Sequence, residues 1–228
     1  MNLTKNKKAI NSNLDNSIAY SFKEAIKKVK DLKFSKFDES VDLAISLGVD
    51  PRHADQNIRV STSLPHGTGK SVRVLVIAEG EKEKEAKDAG ADFVGIEYLL
   101  KLKEGWSDVE KIVATPDMMP ELGKLGKILG PKGLMPNPKS GTVTMDISKA
   151  VESLKAGQVE LRVEKNGIIH TQCGKCSFDE KMLEENIAAI YNSIIKAKPA
   201  SVKGVYLKNM SISSTMGPGI KINTNSFI

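Results

Sequence analysis

Three arrangements in the chain carry residue types that catalysis or ligand binding uses: Gly67-Thr-Gly-Lys-Ser71, Cys173-Gly-Lys-Cys176, and the histidines His53, His66 and His170. The first looks like the end of a phosphate-binding loop. That loop needs glycine where Leu64 stands, and its Lys-Ser pair opens a helix, whereas Val72–Ala78 reads as a strand. A linker turn is the expectation. The cysteine pair precedes a helix, as redox pairs do, but it follows a hairpin strand, and neither a second pair nor a histidine cluster completes a zinc site. A structural or incidental role is expected for it, with half a zinc site as the alternative. The dispersed histidines form no nucleophile–base spacing. The strand-to-helix turn Glu79-Gly-Glu-Lys-Glu83 would repel the pyrophosphate of a dinucleotide with its acids. No enzyme, cofactor or metal is expected.

Two other stretches suit a polyanion. Leu122–Met145 contains no acid and carries Lys124, Lys127, Lys132 and Lys139 among five glycines and three prolines. Glycine lets backbone approach a ligand closely, and proline limits the entropy lost when such a loop is fixed. After Glu185 no Asp or Glu occurs in the last 43 residues, which hold Lys196, Lys198, Lys203, Lys208 and Lys221. The net charge of +6 therefore hides segregated sign. A solvated face is the usual meaning of one lysine-rich loop; two acid-free stretches favour a nucleic-acid surface. With one Trp, four Tyr and six Phe there are few stacking platforms, and no helix-turn-helix or zinc module offers a reading head for a DNA groove. Folded RNA, recognised by shape, phosphates and 2′-hydroxyls, is the better match. The rival reading is an assembly protein whose basic faces meet other proteins.

The elements that must position these residues follow from periodicity. Ser21 and Glu24 have capping-box spacing, and Ala25, Ile26, Val29 and Leu32 share one face of a helix from about Phe22 to Leu32. Val41–Val49 alternates as a half-buried strand, as does the run Ile58, Val60, Thr62 and Leu64. Strands at Val72–Ala78, Ala91–Gly95 and Lys111–Ala114, separated by helical Glu81–Ala89 and Glu97–Lys103, imply a small parallel sheet. Val159, Leu161 and Val163 alternate again, and Asn166-Gly167 predicts a tight hairpin into Ile168–Thr171. A long helix follows from Phe178 to about Lys198, with Met182, Leu183, Ile187, Ile190 and Ile194 near one stripe, and the last strand is Gly204–Ser214. The fold class expected is mixed α/β in two domains. Residues 1–66 and 157–228 form a discontinuous antiparallel α+β domain that binds RNA, and residues 67–156 an inserted, Rossmann-like α/β domain with a small parallel sheet. Insertion at an exposed turn is physically easy because the host ends stay close. A hinge near Pro65–Gly69 and Ala156-Gly157, with a cleft, is expected.

At 40% hydrophobic and 27% charged, the composition excludes wholesale disorder and a membrane bundle. The longest apolar stretch, Val74–Ala78, is far short of the roughly 20 residues that span a bilayer. Met1–Asp15, with Lys5, Lys7 and Lys8, lacks the apolar core of a secretory signal, so a cytoplasmic location is expected, where two free cysteines are unsurprising.

Six motifs carry a resemblance: Phe37-Asp-Glu-Ser-Val-Asp-Leu43, Leu47-Gly-Val-Asp-Pro51, Leu64-Pro-His-Gly-Thr-Gly-Lys70, Ala114-Thr-Pro-Asp-Met-Met119, Gly130-Pro-Lys-Gly-Leu-Met-Pro-Asn-Pro-Lys139 and Ser214-Thr-Met-Gly-Pro218. In this order, and over about Tyr20 to Ile222, the chain resembles the bacterial large-subunit ribosomal protein L-one family, the ribosomal stalk proteins. The resemblance implies a two-domain protein that binds large-subunit ribosomal RNA, forms the mobile stalk near the E site and assists release of deacylated tRNA. It also implies translational repression through the messenger of its own operon. Partners would be that ribosomal RNA, the operon mRNA and E-site tRNA, with the protein monomeric when free and no membrane involved.

Carried over by motif, the RNA contacts would be Lys36, Phe37, Thr215, Met216 and Gly217, joined by Lys132, Gly133 and Lys139 of the Gly-Pro-Lys-Gly segment. Thr215 offers a hydroxyl suited to a 2′-OH, Gly217 exposes backbone, and Met216 and Phe37 give apolar area against a ribose or base. Ordinary core packing is the competing account of Phe37 and Met216. The cysteine pair, Asn209 and the first 18 residues depart from the family pattern and receive no RNA role.

Overall fold

Helix α1 (Phe22–Asp31) starts at a reciprocal capping box: the Ser21 hydroxyl accepts from the Glu24 amide, and the Glu24 carboxylate accepts from the Ser21 amide. The computed structural model describes residue 10, residues 14–15 and residues 18–224; the Lys5–Lys8 segment lies outside the described residues. The chain divides into two compact units, residues 1–69 with 159–228 and residues 70–158.

The first unit is organised by strand β1 (Ser40–Leu47), whose Val41, Leu43, Ile45 and Leu47 are all buried on one face. Its neighbours are β7 (Ile168–Lys175) on one side and β8 (Leu207–Ser214) on the other; β9 (Ile220–Ile222) completes a sheet of order β7-β1-β8-β9. Every ladder is antiparallel, with Val41 opposite both Gly174 and Ser214. The sheet's inner face meets α1 and the long helix α7 (Glu180–Lys196), and the full burial of Ile26, Leu43, Ile45 and Ile187 places the core there. Each such side chain contributes about 1.5–3 kcal/mol of transfer free energy. Strands β2 (Arg59–Ser63) and β6 (Gln158–Arg162) form a separate two-stranded sheet.

The second unit holds parallel strands β3 (Val74–Ile77), β4 (Phe93–Val94) and β5 (Lys111–Ala114) in the order β4-β3-β5. Both faces of β3 are covered, which is why its sequence is continuously apolar. Val74 and Val76 join α2 (Glu81–Asp88) and α6 (Ile147–Lys155); Leu75 and Ile77 join α3 (Tyr98–Lys103), α4 (Met119–Lys124) and α5 (Gly126–Leu129). The mixed α/β class, with a four-stranded antiparallel sheet in one unit and a three-stranded parallel sheet in the other, is the one expected.

Four local expectations need correction. Asn166-Gly167 makes the tight turn, with Gly167 at φ 75° and its amide donating to the Glu164 carbonyl at 2.9 Å, but the hairpin is confined to its tip: the Glu164 amide donates to the Ile168 carbonyl at 2.9 Å and Val163 bridges antiparallel to Ile169, beyond which β6 pairs with β2 and β7 with β1. The turn signal was local, whereas the long β1 ladder decided the partner. Met182 lies outside the buried stripe of α7. That stripe instead includes Asn186, fully buried. The segment from Leu122 is not wholly irregular, since Leu122, Leu125 and Leu129 are buried at helical spacing on α4 and α5. Helix α6 and strand β9 were missed altogether, although Ile147, Val151 and Leu154 keep the helical period.

Asn186 explains the phosphate-loop lookalike. Its amide oxygen accepts from the His66 amide at 3.1 Å, and its amide nitrogen donates to the Gly67 carbonyl at 3.0 Å and the Cys173 carbonyl at 2.8 Å. A polar side chain inside an apolar stripe is affordable when its hydrogen bonds are made. The Gln172 amide also donates to the Thr68 carbonyl, so the linker turn is held by its own unit.

Candidate nucleic-acid interface

The residues expected to touch RNA fall into two groups, one in each unit. In the first unit, Lys36 and Phe37 lie in the segment entering β1, and Thr215, Met216 and Gly217 in the loop leaving β8. The antiparallel pairing of β1 with β8 brings these together, because Val41 stands opposite Ser214. Three bonds close the junction: the Ser40 amide donates to the Thr215 hydroxyl at 3.0 Å, and the Ser40 carbonyl accepts from the Thr215 amide at 3.1 Å and from the Thr215 hydroxyl at 3.4 Å. The Thr215 hydroxyl therefore already serves as a backbone clamp, both as acceptor and as donor, with one lone pair left over.

Beneath the junction lies Glu39, the only charged side chain buried among the described residues. Its carboxylate accepts from the Ser35 hydroxyl and, at 3.2 Å, from the Met216 amide. Burial pushes its pKa up, but hydrogen bonds from Ser214, Ser35 and the Met216 amide outweigh that and hold it below its ordinary value. Asp38 anchors the same segment from outside, accepting from the Ser177 amide at 3.1 Å and the Ser177 hydroxyl at 2.8 Å.

The segments that meet at this junction carry exposed apolar side chains. Phe37 is 53% and Met216 55% exposed, which removes core packing as the account of either. Phe34, 44% exposed, adds a third large apolar side chain that sequence reasoning did not single out. Lys36 is exposed. Gly217 does not simply lay bare its backbone: its amide donates to the Ser214 carbonyl at 3.2 Å and the Ser214 hydroxyl at 3.1 Å, and a Cβ there would sit 2.4 Å from the Ser214 oxygen. A side chain there would push the Ser214 hydroxyl out of its bond to the Gly217 amide.

In the second unit, Gly130 to Lys139 follows α5. Gly133 turns the chain at φ 69° with open space around it, and its amide donates to the Gly130 carbonyl at 3.1 Å. Lys132 is exposed and reaches the Gly105 carbonyl at 3.4 Å. Lys139 is exposed on a 3₁₀ turn, Pro138–Ser140, capped by Asn137, whose side chain accepts from the Lys139 amide at 2.8 Å. Thr142 locks the far side, accepting from the Asn137 amide at 2.8 Å.

Nothing in the cysteine pair suggests redox or metal chemistry. Both thiols are free and buried; burial, first, and the nearby Asp42 charge raise the Cys173 pKa, and its thiol donates to the Val41 carbonyl. Among the described residues no group of three or more His, Cys, Asp or Glu is arranged to hold a metal.

A curated relative, "Large ribosomal subunit protein uL1" of Gemmatimonas aurantiaca, is 56% identical over 209 residues, covering 92% of this chain and 91% of the relative. A family model described as "Ribosomal protein L1p/L10e family" matches residues 23–218, a span that contains both residue groups. With that match covering most of the sequence, the chain belongs to the ribosomal protein L1 family, whose members are structural and not enzymatic.

Proposed function

We propose that this chain is a structural constituent of the large subunit of the cytoplasmic ribosome that binds large-subunit ribosomal RNA. Its mobile stalk lies near the E site and assists release of deacylated tRNA. The two-ended unit is the principal RNA-binding domain: Phe37, Met216 and Lys36 meet the RNA directly, Thr215 and Gly217 set the loop, and Lys132, Gly133 and Lys139 supply further backbone contacts from the inserted unit. The same surface, presented with a similar RNA fold in the messenger of its own operon, represses translation of that messenger. Free of RNA the protein is monomeric. The reading is carried above all by the 56% identity, over nearly the whole chain, to a protein named for the large ribosomal subunit.

Copurification with large ribosomal subunits, together with filter binding to a structured large-subunit rRNA fragment, tests it. Neutralising about five phosphates gives a slope of log affinity against log salt of roughly −3.5 to −4.5. A flat salt dependence, or a protein that stays off the subunit, refutes the reading.

A further inference from the structure

We propose that Glu39 is the positioning residue of the RNA interface: its ionised carboxylate holds the Ser35–Phe37 segment and the Ser214–Gly217 loop in the one arrangement that RNA recognises. The inference rests on the RNA-binding reading above. A carboxylate is out of place under such a face, because it repels phosphate and loses solvation on burial. Glu39 nonetheless has no exposed surface. No described Lys, Arg or His forms an ion pair with it; neutral donors surround it instead, the hydroxyls of Ser35 and Ser214 and the Met216 amide. Those donors come from the segment entering β1, which carries Phe37, and from the end of β8 and the loop after it, which carries Met216; Ser35, Phe37 and Met216 lie in no helix or strand. An acceptor-only group receiving bonds from both sides is what orders two irregular segments together, and hydrogen bonds to charge are the stronger kind.

The chemistry sets a sharp test. Glutamine has the same shape but turns an amide donor toward a site filled with donors, so Glu39→Gln keeps the volume and breaks the pattern. Wild type and Glu39→Gln are compared on a large-subunit rRNA fragment by filter binding across a salt series, with thermal melts to establish that both are folded at the assay temperature. The expected result is at least tenfold weaker binding with an unchanged salt slope, since no phosphate contact is removed. In the free protein, the Met216 amide resonance shifts and loses hydrogen-exchange protection. A group acting only as a nearby negative charge gives the opposite sign, tighter binding on loss of the acid. Equal or tighter binding by Glu39→Gln, with wild type binding normally, overturns the inference alone; failure of wild type to bind overturns the RNA-binding reading and the inference with it. Should Glu39→Gln not fold, Ser35→Ala removes one donor instead. A severalfold loss of affinity with a shifted Met216 amide is then expected, and unchanged affinity overturns the proposal.

Discussion

The two glycine-bearing loops proposed to meet RNA are built in opposite ways. Around Thr215–Gly217 the backbone is clamped to β1, a buried carboxylate lies underneath, and the outer surface is methionine and phenylalanine. Around Gly130–Lys139 the glycine stands in open space and the outward side chains are lysines on a turn held by Asn137 and Thr142. The first arrangement stores shape, with its entropy of ordering already paid within the fold. The second offers charge, which acts at a distance and tolerates imprecise placement.

That contrast can be broken by mutation. The largest effect is expected for Met216→Asp, which should weaken binding to the specific rRNA fragment by about 1–3 kcal/mol while leaving thermal stability nearly unchanged, since the side chain is exposed. Normal binding by this variant in a filter assay removes the loop from the interface. Gly217→Ala should lower stability in urea by about 1–3 kcal/mol through overpacking against Ser214, and adding Ser214→Ala should return part of the loss. If Gly217→Ala is as stable as wild type, the loop is not tightly preset. Lys132→Ala should leave stability untouched and reduce the magnitude of the salt slope by about 0.7–0.9, the signature of one phosphate contact. A lost sequence preference with an unchanged slope would show that the second loop reads shape after all.

The smallest effect concerns acid. Because the folded Glu39 titrates below its ordinary value of 4.5, the unfolded chain takes up the proton first as pH falls. Its contribution is present in full above that value and is lost as acid passes through the lower folded pKa. Wild type should therefore lose more stability than Glu39→Gln between pH 5 and pH 3; parallel curves would mean that the carboxylate is not stabilised by the fold.

The legible parts of the fold were those where one period runs uninterrupted. The capping box at Ser21, the alternation through Val41–Leu47 and the apolar run at β3 each found its element, because burial of one face or two leaves a repeat in the residues themselves. The Asn166-Gly167 turn found its place but its hairpin stops at the tip, because a turn signal says nothing about which long-range partners the two strands then take. Helices α4 and α5 were obscured by glycine and proline, which lower helix propensity without preventing a leucine face from packing. At the site, Phe37, Thr215 and Met216 could be named from motifs; Glu39 stands in the same Phe37–Leu43 motif but drew no role, since a Glu in a polar run reads as solvated, and Ser35 lies outside it.

The amino-acid order alone determined the class of elements, the segregation of charge and the motifs that mark the family, all properties of neighbours along the chain. Tertiary structure decided that residues near 37 and residues near 215 come together, that a carboxylate between them is buried, and that a side chain at Gly217 would displace the Ser214 hydroxyl. Those facts depend on the register of β1 against β8, and register is chosen by burial of whole strand faces rather than by any local residue.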